Sequence, residues 1–251
     1  MLPNAQRIGT IGNEDPRIDR YRLLLGQSAL FRGCSSSAID DLARRVQVRT
    51  RPAATLIVAQ DEPGDSMFIL VSGRVRVALF GESGRELTLG ELHAGEYFGE
   101  MSLIDNRPRS ANVIAIDDTV LLVLTKEAFS GHLRAHPQTA LNLMSELSRR
   151  LRRADETIAQ LALQDVEARL CRTLERLARE EVQPAVSPAD SDGDLVLRRR
   201  PTQQDLANMV GSCRETVSRT LTAMAKRGLV VPRGRTLVLT RALLSRRQIP
   251  A

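Results

Sequence analysis

Residues 98–111 read FGEMSLIDNRPRSA, and the interpretation of this stretch determines what the rest of the chain is expected to do. A glycine and a glutamate, Gly99 and Glu100, stand near its start, and Arg109 and Ser110 stand near its end. Two structures fit such a stretch: a turn between two strands, or a pocket that holds a small anionic ligand. The surrounding sequence has to distinguish between them.

The composition is that of an ordinary globular protein. Hydrophobic residues make up 42% of the chain and charged residues 26%. Its length of 251 residues is enough for two compact domains or one large one. The sequence has no apolar run of membrane-spanning length and no signal peptide, so we expect a cytoplasmic protein without a membrane partner. Residues 1–20 are polar and rich in turn formers, and we expect a flexible tail there.

Cysteine and histidine spacing does not indicate a metal site or a disulfide framework. Cys34, Cys171 and Cys213 lie far apart and form no C-x-x-C pair. His132 and His136 are four residues apart and could share a helix face, but no third ligand type lies near them in the sequence. We therefore expect two partly exposed histidines and no metal.

Positive charge is concentrated at the C-terminal end. From Arg198 to Ala251 there are 12 Lys and Arg against 2 Asp and Glu, a net charge of +10. The whole chain is +6, so residues 1–197 carry about −4 by subtraction. A concentrated basic segment suits nucleic acid or an acidic membrane surface, with a merely soluble basic face as the alternative.

Three zones of secondary structure follow one another along the chain. Apolar positions over residues 21–46 predict one or two short helices. Short β-branched runs between Thr55 and Thr125 alternate with glycine turns, which predicts a sandwich or barrel. Residues 138–163 contain no glycine or proline and predict a long helix.

The long helix carries an apolar seam. Its apolar positions step by four and three residues over about three heptads. These positions are Ala140, Met144, Leu147, Leu151, Ala154, Ile158 and Leu161. Charged flanks favour a two-helix dimer interface, and a helix packed on its own domain is the alternative. Gln164-Asp165 indicates a helix break, with Asp165 as the N-cap of the next helix, and Gln183–Asp194 indicates a surface loop.

Residues 201–239 predict a winged helix-turn-helix. Thr202 with Asp205 three residues later is typical of a helix start, and Val210-Gly211-Ser212 indicates a turn. A second helix is predicted from about Cys213 to Lys226. Two short strands joined at Pro232 to Gly234 then predict a β-hairpin.

The second helix of this unit carries side chains suited to reading bases. Arg214 and Arg219 match the guanine O6 and N7 acceptors, and Glu215 can accept from cytosine N4. Glu215 has a rival role, because Ser212-x-x-Glu215 also fits a capping box. The candidate DNA-binding residues, including those better placed for phosphates, are Thr202, Gln204, Arg214, Glu215, Ser218, Arg219, Arg233 and Arg235.

Two motifs together resemble one known family. CRETVSRTL (213–221), preceded by the T-x-x-D-L-A helix and followed by KRGLV, resembles the helix-turn-helix of the cyclic AMP receptor protein (Crp/Fnr) family of bacterial transcription regulators. FGEMSLIDNRPRSA resembles the phosphate-binding cassette of the same family. The resemblance covers about residues 25–242. It implies an α+β fold with a jelly-roll-like, cyclic-nucleotide-binding β-roll over 21–136, a dimerisation helix over 137–164 and a winged helix-turn-helix domain over 165–251.

The resemblance also implies a ligand site. Gly99 and Glu100 would open a short helix whose free N–H groups suit a phosphate, and Arg109 would pair with the cyclic phosphate. Ser110 would add a hydroxyl donor, Glu100 would accept from the ribose 2′-hydroxyl, and Met101 and Ser102 would line the same helix. The alternative is that Glu100 and Arg109 only pair with each other at a loop.

The base end of the implied site departs from the cyclic AMP receptor protein pattern. Ala154 and Asp155 stand where that branch has a Thr-Ser pair facing the purine. Ala154 offers no hydrogen bond, and Asp155 can accept from an amino group but also adds negative charge. Cyclic AMP is favoured and cyclic GMP is second, while weakened cyclic AMP binding, ligand-independent activity and another ligand such as cyclic di-GMP remain open. Neither the iron–sulfur cysteines of the oxygen-sensing branch nor a haem ligand is evident, so no cofactor is required.

The leading hypothesis is a homodimeric, ligand-gated transcription regulator. Its implied partners are double-stranded DNA with near-palindromic, TGTGA-like half-sites, a second copy of the chain, and RNA polymerase. One rival is a cyclic-nucleotide sensor coupled to a kinase or channel, and another is a DNA-binding protein whose β-roll serves only as a scaffold. An enzyme is least expected, because the sequence has no P-loop, nucleophile elbow or paired carboxylates.

Overall fold

The structure is a computed structural model that describes residues 16–81, 84–181 and 193–245. Its helices are α1 (Pro16–Gln27), α2 (Ser36–Ala43), α3 (Met101–Asp105), α4 (Lys126–Ala135), α5 (Pro137–Leu163), α6 (Val166–Glu181), α7 (Gln203–Val210), α8 (Arg214–Lys226) and α9 (Arg241–Ser245), with a 3₁₀ turn at Ala29–Phe31. Its strands are β1 (Gln47–Arg51), β2 (Leu56–Val58), β3 (Ser66–Ser72), β4 (Val75–Phe80), β5 (Glu86–Leu92), β6 (Tyr97–Phe98), β7 (Asn112–Ala115), β8 (Thr119–Thr125), β9 (Leu195–Leu197), β10 (Val230–Arg233) and β11 (Thr236–Leu239).

Two short helices and a 3₁₀ turn precede the first strand, as the apolar spacing predicted. Helix α1 begins at Pro16, a residue suited to a first helical turn because it has no backbone N–H to satisfy there. The tail predicted over residues 1–20 therefore ends inside a helix, and residues 1–15 lie outside the described residues. Helix α2 is capped by Ser35, whose hydroxyl accepts a hydrogen bond from Ala38 N–H.

The β-rich zone forms two four-stranded sheets, in the orders β1-β8-β3-β6 and β2-β7-β4-β5. This confirms the predicted sandwich or barrel. The antiparallel pair β3 and β8 lies at the centre of the first sheet, and its apolar side chains are buried on both faces. The most completely buried of these side chains are Met67, Ile69, Leu70, Leu121, Leu122 and Leu124. Strands β1 and β6, which no β-branched run had indicated, complete this sheet.

A buried polar cluster fixes the start of α5. The Thr139 hydroxyl lies 2.9 Å from His132 Nε2 and 3.1 Å from Cys34 Sγ. Three residues further along α5, the side-chain amide of Asn142 donates to the carbonyl oxygen of Leu30 at 2.9 Å. The first turns of α5 are therefore bonded to the segment that precedes the β-roll.

The expectation of two partly exposed histidines was wrong for His132, which is only 2% exposed. Its ring packs edge-on against Phe31, and the ring of His136 lies 4.6 Å away. Burial lowers the pKa of His132 to about 4, with a smaller contribution from His136. The imidazole is therefore neutral at physiological pH and acts as a hydrogen-bonding core residue.

The C-terminal part of the chain folds around its own core. Strands β10 and β11 form the predicted hairpin, and β9 adds a third strand in the order β10-β11-β9. Helices α6, α7 and α8 bury their apolar sides beneath this sheet around Leu174, Leu206 and Val217. The arrangement is the predicted winged helix-turn-helix. Most of the loop predicted at Gln183–Asp194 lies outside the described residues.

Chain contacts divide the described residues into two compact units. The first comprises the described parts of Met1–Val75, with Leu92–Ser110 and Ala115–Glu146. The second comprises the described parts of Arg76–Glu91, Ala111–Ile114 and Leu147–Ala251. The sequence-based domain boundaries at residues 136 and 164 remain a prediction.

The α5 seam is open to solvent. Met144 is 56% exposed, Leu151 64% and Ile158 63%, although each lies at an apolar seam position. This exposure leaves the seam accessible, and the dimer interface expected along it remains a prediction.

Candidate ligand pocket and DNA interface

The Arg109 side chain is the centre of the candidate pocket. It is only 6% exposed, and its Nη1 donates to Gly99 O at 2.8 Å while its Nη2 donates to Ser66 O at 2.7 Å. The guanidinium also lies 5.9 Å from the centre of the Phe68 ring. The guanidinium is therefore held in one orientation by two strand-end carbonyls and an aromatic ring.

Two glycines leave the space that Arg109 occupies. A Cβ on Gly64 would lie 2.6 Å from both Cζ and Nε of Arg109, and 2.8 Å from Ser102 Cβ. A Cβ on Gly99 would lie 2.7 Å from Arg109 Nη1, and Gly99 also has a φ of +82°. Both positions therefore require glycine for the close approach, and Gly99 requires it for its backbone conformation as well.

The loop that carries Arg109 is ordered by hydrogen bonds of its backbone N–H and C=O groups. Asn106 ends α3 in the left-handed conformation with a φ of +58°, and Asp105 accepts from Arg107 N–H at 3.0 Å. Arg109 N–H then donates to Glu62 O at 2.9 Å, and Arg109 O accepts from Asp61 N–H at 2.9 Å. This pairing ties the loop after α3 to the loop between β2 and β3.

The remaining predicted pocket residues in this stretch lie on α3 or beside it. Glu100 is the N-cap of α3 and is 1% exposed, and Ser102 is 3% exposed. Met101 and Ser110 are exposed, and the Ser110 hydroxyl lies 3.7 Å from Met101 Sδ. The structure thus brings Gly99, Glu100 and Ser102 to Arg109 and leaves Met101 and Ser110 at the rim. Asp155 is exposed on α5, in the second compact unit.

Burial and charge act in opposite directions on Arg109. Desolvation lowers its pKa, and the carboxylates of Asp65 and Glu100 oppose that shift. Because arginine is too strong a base to lose its proton in proteins, the guanidinium stays charged at physiological pH. A buried permanent cation next to a carboxylate and to N–H groups at a helix start can bind an anionic group with neighbouring hydroxyls.

The start of α7 carries the predicted capping box. The Thr202 hydroxyl accepts from Asp205 N–H at 3.1 Å, and Asp205 Oδ2 accepts from Thr202 N–H at 3.1 Å. The side-chain amide of Gln204 donates to Asn208 Oδ1 at 2.9 Å. Thr202 and Gln204 are exposed at the N-terminal end of the helix-turn-helix, where phosphate contacts are made in such motifs.

Helix α8 presents its predicted base-reading side chains to solvent. Arg214, Glu215 and Arg219 are exposed and Ser218 is half-buried, while Val217 on the opposite side is completely buried. The side chains assigned to DNA therefore share one accessible helix surface.

The rival role of Glu215 in a capping box was wrong. The N-cap of α8 is Cys213 rather than Ser212, so the third helical position is Thr216. The Cys213 thiol lies 3.1 Å from the Thr216 hydroxyl, and this hydrogen bond lowers the pKa of Cys213. Glu215 therefore does not occupy the capping-box position that the sequence suggested.

One arginine joins the helix break to the helix-turn-helix. Arg169 on α6 donates from Nη1 to Gln164 O at 2.6 Å and from Nε to Val210 O at 2.9 Å. Asp165, the predicted N-cap of α6, accepts from Ala168 N–H at 2.8 Å. The end of α5 and the end of α7 are therefore bonded to the same side chain.

The part of the chain that the structure describes contains neither a candidate metal site nor a candidate membrane-spanning helix. No group of three or more His, Cys, Asp and Glu side chains there could hold a metal ion. None of the helices described combines the length and the apolarity that crossing a membrane requires.

Comparisons with known proteins agree with both halves of this description. Residues 48–136 match the cyclic nucleotide-binding domain family, and residues 168–247 match the Crp-like helix-turn-helix domain family. The cyclic AMP receptor protein of Thermus thermophilus is 35% identical over 203 residues, which are 81% of this chain and 88% of that protein. The chain belongs to the Crp/Fnr family of transcription regulators.

Other Crp/Fnr family members are similar to most of the chain. A CRP-like, cAMP-activated global transcriptional regulator of Mycobacterium tuberculosis is 29% identical over 217 residues, which are 86% of this chain and 94% of that protein. The c-di-GMP-responsive global regulator CLP of Xanthomonas campestris superposes with a TM-score of 0.70 at 26% identity, covering 82% of this chain and 99% of that one. Relatives with similar architecture thus answer to chemically different cyclic nucleotides.

The sequence did not single out the residues that support Arg109 from the β2–β3 side. In the sequence Gly64 is one of the glycine turns between Thr55 and Thr125, and Ser66 and Phe68 belong to one of the strand-like runs. All three contact Arg109 or leave the space for it. A Pro-Gly turn before a buried strand has no sequence feature that predicts contact with a distant arginine. The support of Arg109 by these residues is therefore evident only from the structure.

Proposed function

We propose that this Crp/Fnr regulator is a cytoplasmic homodimer whose DNA binding is controlled by a cyclic nucleotide held in the β-roll. Cyclic AMP is the preferred ligand and cyclic GMP the second candidate. The observation that carries the proposal is the buried guanidinium of Arg109, held by Gly99 O and Ser66 O beside Glu100. By family resemblance, RNA polymerase is the expected protein partner.

The environment of Arg109 fits a phosphate better than a structural role. Burying a guanidinium has a substantial desolvation cost, and two carbonyl hydrogen bonds use only two of its five N–H donors. A cyclic phosphate would compensate the charge and could engage further donors bidentately. The carboxylate of Glu100 would then accept from the ribose 2′-hydroxyl.

Arg109 and Arg107 provide a matched pair of variants. Arg109→Ala should abolish the binding of cyclic AMP and cyclic GMP in titration calorimetry, and Arg109→Lys should weaken it strongly because lysine lacks the bidentate fork. Arg107 is exposed two residues away, so Arg107→Ala should bind as the unmodified protein does. Undiminished binding by a folded Arg109→Ala variant would refute the pocket.

The base end of the ligand is assigned to Asp155. A carboxylate can accept from the exocyclic amino group of a purine, whereas the neighbouring Ala154 offers no hydrogen bond. Asp155→Ala should change the ratio of cyclic AMP to cyclic GMP affinity and leave the requirement for Arg109 intact. An unchanged ratio would remove Asp155 from the site.

DNA is proposed to be read by α8. Arg214, Glu215 and Arg219 would contact a TGTGA-like half-site, with Ser218 on the same helix face, and Thr202, Gln204 and Arg235 would position the domain on the backbone. Arg214→Ala should cost about 1–3 kcal/mol of binding to the cognate duplex and relax specificity at one base pair. An equal loss on cognate and scrambled DNA would contradict this assignment.

A second copy of the chain is proposed to cover the α5 seam. An aspartate at Ile158, which is 63% exposed, would place a charge in the seam and should shift the protein toward monomer in sedimentation experiments. Arg152 is exposed on the same helix but lies off the seam, so Arg152→Ala should leave the dimer intact. A fully dimeric Ile158→Asp variant would place the interface elsewhere.

Cyclic di-GMP is the alternative ligand. The superposition with CLP and the loss of the Thr-Ser pair at Ala154 and Asp155 both favour testing it. A thermal-shift series with cyclic AMP, cyclic GMP and cyclic di-GMP distinguishes the candidates, because the ligand that binds the native state raises the unfolding temperature. DNA binding that is identical with and without all three would support a ligand-independent regulator.

A further inference from the structure

Helix α5 is continuous, so the heptad position of each of its residues follows from the spacing of the seam. The seam residues alternate between the two heptad positions that are conventionally named a and d. Met144, Leu151 and Ile158 occupy a, and Ala140, Leu147, Ala154 and Leu161 occupy d. The residues that flank the seam are then those just before a, named g, and those just after d, named e.

The flanks of the seam contain a complementary pair of charges. In a parallel pair of helices, each g residue of one helix faces the next e residue of the other helix. Three such pairs fall between residues 143 and 162 of α5: Leu143 with Ser148, Arg150 with Asp155, and Thr157 with Ala162. Of these three, only the pair of Arg150 with Asp155 joins opposite charges. A two-fold symmetric helix pair would contain it twice, once in each direction.

The two charged side chains flank an open part of the seam. Asp155 is exposed and Arg150 is half-buried, and both belong to the second compact unit. Leu151 and Ile158, the nearest a residues, are 64% and 63% exposed. Ala154 lies between them at d, and its short side chain lets a facing helix approach closely. A second α5 seated on this seam would therefore place its own aspartate beside Arg150 and shield both charges partly from water.

We propose that Arg150 of one copy forms an ion pair with Asp155 of the partner subunit, and that this reciprocal pair makes the α5 dimer parallel and in register. The inference rests on the proposed homodimer. An apolar seam by itself permits several arrangements, whereas charges at e and g positions set the orientation and the choice of partner. The pair thus selects a second copy of this chain over other helices with a similar seam.

Other arrangements of two α5 helices lack the ion pair. In an antiparallel arrangement, g residues face g residues and e residues face e residues, so Arg150 does not meet Asp155. In a parallel arrangement shifted by one heptad, Arg150 lies beside Ser148 or Ala162 of the other helix. The charges therefore favour one arrangement among those that the apolar seam allows.

Asp155 is also the residue assigned above to the base of the ligand. A carboxylate has two oxygens, so it can accept from an arginine and from an amino group at the same time. The arginine of the other copy would also offset the negative charge that Asp155 brings near a nucleotide. Measuring the dimer without nucleotide separates the two roles, because only the ion pair then contributes.

Charge reversal tests the pair by sedimentation equilibrium of the full-length chain without nucleotide. Arg150→Glu and Asp155→Arg should each raise the dimer dissociation constant about tenfold to a hundredfold, because two attractions become two repulsions. Arg150→Glu/Asp155→Arg should return to within about threefold of the unmodified chain, since the pair is restored with its signs exchanged. The loss in the single variants should shrink in about 1 M salt, which screens exposed charges.

Mixing the two single variants gives a second measurement. One variant has acids at both positions and the other has arginines at both, so the mixed dimer is attractive on both sides and neither parent dimer is. A tagged Arg150→Glu chain should therefore retain an untagged Asp155→Arg chain better than an untagged chain of its own kind. Arg153→Glu and Glu156→Arg are the matched controls, because both residues are exposed on α5 at neither an e nor a g position, and these reversals should leave the dimer unchanged.

Three outcomes would overturn the proposal. Single reversals that dimerise as the unmodified chain does would remove the ion pair, and antiparallel or shifted helices predict that result. A double variant as weak as the single variants would assign Arg150 a merely structural role, since exchanging the charges would not rescue it. An unmodified chain that stays monomeric would overturn the homodimer together with the pair. If Ile158→Asp weakens the dimer while both reversals leave it intact, the homodimer stands and the pair alone fails.

Discussion

Replacing Gly64 with alanine should disable the pocket although every residue of the FGEMSLIDNRPRSA motif is left unsubstituted. The new Cβ would lie 2.6 Å from Cζ and Nε of Arg109 and 2.8 Å from Ser102 Cβ. Carbon atoms in contact prefer separations of about 3.5–4.0 Å, so a displacement of about 1 Å is required. Ser102 Cβ is fixed to the backbone of α3, whereas the guanidinium lies at the end of a flexible side chain. Arg109 therefore moves, and the 2.8 Å contact with Ser102 Cβ requires a shift of the Gly64 backbone as well.

The size of the effect follows from what Arg109 loses. Its hydrogen bonds to Gly99 O and Ser66 O, at 2.8 and 2.7 Å, cannot both survive such a shift. A charge-assisted hydrogen bond contributes about 1.5–3 kcal/mol, and overpacking a core costs about 1–3 kcal/mol. Partial relaxation should leave a net destabilisation of about 1–3 kcal/mol. Ligand affinity should fall about tenfold to a hundredfold, because the guanidinium is no longer aimed at the phosphate.

Two measurements check this expectation. Thermal unfolding reports the destabilisation whether or not the ligand has been identified, and calorimetry with cyclic AMP reports the loss of affinity. Gly131 on α4 is the control, because a Cβ there meets no atom within 4 Å. Gly131→Ala should bind ligand normally and gain up to about 1 kcal/mol of stability. A Gly64→Ala variant with unmodified stability and affinity would refute the packing argument.

Three further outcomes are expected from features of the described residues. Gly211 and Gly228 both have a positive φ, +63° and +67°, but of these two only Gly211 would bring a Cβ closer than 3 Å to a neighbouring atom. Gly228→Ala should cost about 1–2 kcal/mol of stability in thermal unfolding. Gly211→Ala should cost more, because it adds a steric clash to the backbone strain. The pKa of His132 is about 4 in the folded chain against 6.5 for an ordinary histidine, so the unfolded chain takes up the proton first as the pH falls. The free energy of unfolding should therefore fall by about 3 kcal/mol between pH 6.5 and pH 4. Urea unfolding across that range should lose this slope in His132→Gln and keep it in His93→Gln. Thr202→Ala should cost about 1 kcal/mol of stability through the lost capping box, whereas Thr202→Ser should be nearly neutral; equal losses would show that the cap does not stabilise α7.

The motif residues were predictable because their chemistry is contiguous in the sequence. Gly99, Glu100 and Arg109 lie within one turn-helix-turn segment, so their spacing already implies one site. Their supports are not contiguous: Ser66 accepts from Arg109 across 43 residues, and the β3–β6 pairing brings the two chain segments together. No local pattern announces a contact of that kind.

The missed strands and the misjudged histidine have related causes. Strand β1 reads QVRTR, with four of its five residues exposed, so its pairing with β8 rather than its own apolar content makes it a strand. Strand β9 has only three residues and depends on β11 for its hydrogen bonds. His132 is buried because Phe31 and Thr139 close over it from elsewhere in the chain. In each case tertiary pairing outweighs local composition.

The double hydrogen bond of Arg169 has a consequence for the conditions under which the protein can operate. Neither a guanidinium nor a backbone carbonyl titrates between mild acid and mild alkali, so acidification cannot release its bonds to Gln164 O and Val210 O. The connection between the end of the long helix and the DNA-reading unit should therefore persist when the pH falls.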